Sequence, residues 1–115
     1  MKTDTLFKTL ADPTRLRSIV LLEQEGELCV CELTHALGVA QPKISRHLGV
    51  LRAAGLVLDR RRGQWIYYRI DPALPGWAHA VIRGAVDGAA GAAPFVTDRA
   101  ALKEMPNRPG APCCA

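Results

Sequence analysis

The stretch Gln41-Pro42-Lys43-Ile44-Ser45-Arg46-His47-Leu48-Gly49-Val50-Leu51-Arg52 decides how the rest of the chain reads. Pro42 stands in the first turn of a helix, where a missing N–H costs nothing. Ile44, Leu48 and Leu51 recur at i, i+4 and i+7 and define one buried stripe. The opposite face then shows Gln41, Lys43, Ser45, Arg46 and Arg52, and Gly55 ends the helix. His47 has two readings: a further contact on that polar face, or a half-buried packing residue beside Leu48.

Upstream, Val39-Ala40 is a short turn, and Gly38 is the C-terminal stop of a helix over roughly Cys31 to Leu37. Leu33, Ala36 and Leu37 form its inner face. Before it, Asp12-Pro13 opens a helix with Asp as N-cap, and Leu16, Ile19, Val20 and Leu22 follow at helical spacing up to Gly26. Leu6, Phe7 and Leu10 suit a first short helix capped by Thr3 or Asp4.

Downstream the period changes from 3.6 to 2. Leu56-Val57-Leu58 and Trp65-Ile66-Tyr67-Tyr68-Arg69-Ile70 flank Asp59-Arg60-Arg61-Arg62-Gly63-Gln64 and read as a β-hairpin. Trp77, Ala80, Val81, Ala85 and Val86 suggest a last helix. Residues 90–115 are rich in Ala, Gly and Pro and read as a loose tail ending in Cys113-Cys114. The expected fold is mainly α with a small β-hairpin: a winged helix-turn-helix over residues 1–89, and dimeric. The first and last helices have apolar faces without an evident partner, and symmetric pairing would bury them.

The 115 residues suit one domain, and 49% hydrophobic with 23% charged residues is an ordinary globular balance. No apolar run is long enough for a membrane span, and the first residues open no secretory h-region, so the expected address is the cytoplasm. Residues 41–70 carry 7 basic groups and 1 acidic group, net +6, against −2 for residues 1–40 and zero for residues 71–115. Such a local excess on a helix face and a hairpin tip is the footprint of double-stranded DNA binding. Gln41, Lys43, Ser45 and Arg46 would enter the major groove, where Gln suits adenine and Arg suits guanine. Arg60, Arg61, Arg62 and Gln64 would lie on the backbone or in the minor groove. No nucleophile–base set or cofactor loop appears, so an enzyme is not expected.

In a reducing compartment Cys29, Cys31, Cys113 and Cys114 read as soft-metal ligands or redox groups before disulfides. Two cysteines one residue apart cannot chelate one ion inside a regular helix, because i and i+2 point to nearly opposite sides. Chelation at Cys29 and Cys31 therefore predicts a non-helical start to the helix that follows.

Glu27-Leu28-Cys29-Val30-Cys31-Glu32-Leu33, the helix quoted above, Ala11-Asp12-Pro13-Thr14-Arg15-Leu16 and the wing from Gly63 to Arg69 together resemble the ArsR-type arsenic-responsive repressors, in order, over roughly residues 6–88. The resemblance implies a homodimer that represses at its operator and leaves it on binding trivalent arsenic or antimony, with no permanent cofactor. It implies Cys29 and Cys31 as the sensor. The resembled branch carries a third cysteine where this chain has Thr34. Cys113 and Cys114 would then supply the missing ligand or form a second site, a small thiol would complete the set, or a monomethylated arsenical would need only two sulfurs. The zinc-sensing branch uses paired acidic and His ligands on the last helix, and here only His79 and Asp87 are available. Two rival readings are a winged-helix repressor with a disulfide or persulfide switch, and a thiol metallochaperone.

Overall fold

A computed structural model describes residues 1–108. The elements run α1 (Thr3–Leu10), α2 (Pro13–Glu25), β1 (Glu27–Cys29), α3 (Val30–Leu37), α4 (Gln41–Ala53), β2 (Val57–Arg62), β3 (Trp65–Ile70), α5 (Gly76–Ala89) and α6 (Phe95–Lys103). The three strands form an antiparallel sheet in the order β1-β3-β2.

The helix starts follow local chemistry. Asp12 Oδ1 accepts from the backbone N–H of Thr14 at 2.8 Å and of Arg15 at 3.0 Å, with Pro13 at the first helical position. Partial burial alone would raise the Asp12 pKa, but these N–H donors and the nearby His47 and Arg15 hold it below its ordinary value. Because the folded pKa lies below the unfolded one, the cap is fully stabilising above about pH 4 and is lost as pH falls through the folded value. Asp12→Ala should cost about 1 kcal/mol in urea unfolding at pH 7, and Asp12→Asn much less. Helix α1 differs from expectation. Its N-cap is Lys2 with no side-chain bond, and Asp4 instead lies 3.8 Å from Lys8 one turn on.

Leu6 of α1, Ile19 and Leu22 of α2, Leu28 of β1, Leu33 of α3, Ile44, Leu48 and Leu51 of α4, and Ile82 of α5 are all fully buried in one core. The stripe expected for α4 is thus the observed one. In α5 the inner face is Ala78, Ile82 and Ala89, shifted from the expected set, so Trp77 points outward at 40% exposure.

The loose tail expected from residue 90 is corrected by α6. Asp98 and Leu102 lie one turn apart and are both buried, Leu102 in the main core. Arg17 of α2 grips Asp98 through two hydrogen bonds of 2.9 and 2.7 Å and also donates to the Leu37 carbonyl at 3.0 Å. This ties α6 to the C-terminus of α3. The composition of the segment hid a short helix whose buried Asp98 has its partner 81 residues away in the chain. Cys113 and Cys114 lie outside the described residues.

Candidate metalloid sensor and nucleic-acid interface

Helix α4 carries Gln41, Lys43 and Arg46 exposed and Ser45 half-buried, all on the side away from the core. Gln41 Nε2 donates to Ser45 Oγ at 2.9 Å, which aligns the two polar side chains. His47 departs from this face. Its side chain is only 12% exposed, with Nδ1 3.3 Å from Arg15 Nη1 and 3.9 Å from Asp12 Oδ1. It packs against the start of α2, and of its two readings the structure gives the packing one. Arg52 is paired with Asp59 at 2.9 Å on the surface.

The hairpin turns at Gly63 and Gln64. Gly63 has φ +62°, the left-handed value that the first position of a tight hairpin turn requires. Strand alternation puts Arg61 on the opposite face from Arg60 and Arg62, and pairing then sets Arg60 apart. Arg61 and Arg62 face Ile66 and Trp65 in register near the tip and are exposed. Arg60 does not join them. It donates to both carboxylate oxygens of Glu27 at 2.7 and 2.6 Å, and its guanidinium lies 5.4 Å from the Tyr67 ring centre. Arg60 therefore spans the sheet from β2 to β1, and its hydrogen bonding holds the Glu27 carboxyl below its ordinary pKa.

The cysteine pair sits at the joint between β1 and α3. Cys29 is the last residue of β1 and the N-cap of α3, with extended backbone at φ −85° and ψ 166°. Cys31 is in the first turn. This break in helical geometry brings the two free thiols together, with Sγ atoms 2.8 Å apart. Cys29 is 1% exposed and Cys31 partly exposed. The Cys29 backbone N–H donates to Glu32 Oε1 at 2.9 Å. Burial, reinforced by the hydrogen bond to Cys31, pushes the Cys29 thiol far above its ordinary range, so it is protonated at neutral pH.

Glu32 itself was not singled out in the sequence, although an acidic residue three positions after an N-cap is a capping signature. Its carboxylate is buried and also accepts from Arg108 Nε, which draws the segment after α6 onto α3. Thr34 Oγ1 donates to the Val30 carbonyl at 2.9 Å. Among the described residues no group of three or more His, Cys, Asp and Glu side chains is placed to hold a metal. His79 hydrogen-bonds Glu23 at 2.9 Å. Among the described residues no helix is long and apolar enough to cross a membrane.

A helix-turn-helix with a basic outer face and a basic hairpin beside it defines the winged-helix class of DNA-binding transcriptional regulators. The sequence profile of the bacterial regulatory protein ArsR family matches residues 12–58. The arsenic resistance transcriptional regulator ArsR1 of Pseudomonas putida is 54% identical over 96% of this chain and 85% of its own length. The arsenical resistance operon repressor of Escherichia coli K12 is 57% identical over 67% of this chain and 66% of its own. The crystal structure of the AntR antimony-specific transcriptional repressor superposes with a TM-score of 0.61 at 32% identity, covering 71% of each chain. This chain belongs to the ArsR family of winged-helix transcriptional repressors.

Proposed function

We propose that this protein is an arsenic-resistance repressor that binds operator DNA as a homodimer and releases it when trivalent arsenic or antimony bonds Cys29 and Cys31. The observation that carries the reading is the position of the thiol pair. It lies between β1, which pairs with the wing strand β3, and α3, which packs on α4. A soft ion held by both sulfurs acts at once on the two elements that face DNA. The relatives named for arsenic and antimony response supply the ligand class.

Gln41, Lys43, Ser45 and Arg46 read the major groove in this proposal, with Arg61, Arg62 and Gln64 on the flanking backbone. Arg60 is engaged by Glu27 across the sheet surface instead. The dimer joins through the outer faces of α1 and α5, where Phe7 and Trp77 are 53% and 40% exposed. Pairing there presents two recognition helices to half-sites about 34–36 Å apart. The work is done beside the chromosome, in the cytoplasm.

The test is fluorescence anisotropy of the reduced protein on DNA from its own promoter, titrated with arsenite. Release at near-stoichiometric arsenite is expected; DNA binding that arsenite leaves untouched would refute the sensor assignment. In the same assay Arg46→Ala should weaken operator binding by about 1–3 kcal/mol and relax discrimination at one base pair. Unchanged affinity and specificity would remove Arg46 from the reading face.

A further inference from the structure

A cleft of about 630 Å³ opens between α3, α4 and the wing strand β3. Its walls include Cys31 and Thr34 of α3, Gln41 and Ser45 of α4, and Trp65 and Ile66 of β3. Cys31 and Thr34 are three residues apart and so share one helix face. Cys29 lies behind them in the core. An atom bonded to both sulfurs is thus closed off on the Cys29 side and open toward the cleft on the Cys31 side. Trivalent arsenic forms three bonds. Thr34 brings no sulfur to the third one, and its hydroxyl is already donated to the Val30 carbonyl. The indole Nε1–H of Trp65 is buried and has no partner among the described residues, so a wall residue of the cleft carries an unused donor.

We propose that this cleft is a subsite for the organic substituent of trivalent organoarsenicals, aryl ones in particular. The inference rests on the reading of Cys29 and Cys31 as the metalloid site and names its ligand class. The exchange needs no oxidant or reductant. An arsonous acid R–As(OH)₂ meets two thiols, two As–S bonds replace two As–O bonds, and the thiol protons leave with the hydroxyls as two waters. The arsenic stays trivalent and the As–C bond is untouched. A cavity of roughly 150 Å³ holds benzene, so the cleft has room for a substituted ring. Because Gln41 and Ser45 line the same cleft, a ring there also crowds the side chains assigned to the major groove.

The experiment is DNA release from the reduced full-length protein, titrated in parallel with arsenite and with phenylarsine oxide. It is run on the wild type, Thr34→Phe and Ile66→Trp, each checked by thermal melting. Any general preference of dithiols for arylarsenicals is common to all three proteins, so the quantity read is the ratio of the two potencies. The ratio should fall about tenfold in either narrowed variant, equivalent to about 1.4 kcal/mol, while arsenite potency is kept. A ratio unchanged in whichever variants melt like the wild type would overturn the subsite. A wild type released by neither compound would instead refute the sensor assignment, and the subsite with it.

Discussion

A Cys29→Ser/Cys31→Ser protein should bind its operator as tightly as the wild type and stay bound at arsenite concentrations that release the wild type completely. Neither thiol belongs to the exposed face of α4 or to the hairpin tip, so DNA affinity has no direct reason to change. Ser at position 29 is a better helix N-cap than Cys, and the N–H bond to Glu32 does not involve the side chain of residue 29. What disappears is the pair of soft donors, since a hydroxyl does not replace a thiol toward a thiophilic ion. Moving an operator from almost fully occupied to almost fully free takes about 5.5 kcal/mol of differential binding. Losing both sulfurs should therefore shift the arsenite needed by more than about 100-fold. Release by the double variant at the wild-type concentration would place the sensor elsewhere.

The second large effect is on stability. Arg17→Ala leaves the Asp98 carboxylate, 4% exposed, without its two guanidinium bonds and frees the Leu37 carbonyl. Removing one partner of a buried pair costs about 3–5 kcal/mol, unless the orphaned charge escapes to water. Here escape means undocking α6, so the cost cannot exceed what that docking contributes. Urea unfolding should show the loss, and hydrogen exchange should show α6 opening first. An Arg17→Met/Asp98→Leu protein should recover most of the stability, because an apolar pair of similar volume leaves no buried charge. A single-variant loss below about 1 kcal/mol would mean that α6 is not clamped in solution.

The parts of the fold that were legible in the sequence are those whose signal is local. The stripe Ile44, Leu48, Leu51 and the stops at Gly38 and Gly55 mark α4 through periodicity and backbone freedom alone. Asp12-Pro13 marks α2 in the same way. Strand β1 escaped because three residues are too few for a period-2 pattern; its pairing with β3 is a long-range fact. Helix α6 escaped because its anchor is Arg17, far away in sequence. In the site, the spacing of Cys29 and Cys31 predicted a non-helical joint if both sulfurs are to hold one ion, and the backbone at Cys29 is extended. Arg60 could not be sorted from Arg61 and Arg62 by composition. Only the register that sets it over Tyr67 and within reach of Glu27 does so. His47 was ambiguous for the same reason: its neighbours are Arg15 and Asp12, brought beside it by the packing of α2 on α4.

The central claim is that metalloid at the thiol pair and DNA at α4 and the wing exclude one another. Linkage gives its most direct test, since each ligand must alter the affinity for the other by the same factor. The measurement is a calorimetric titration of arsenite into the reduced protein, once free and once saturated with operator. The account predicts that operator weakens arsenite binding by the same factor by which arsenite weakens operator binding. Equal arsenite affinity in the two titrations would contradict it.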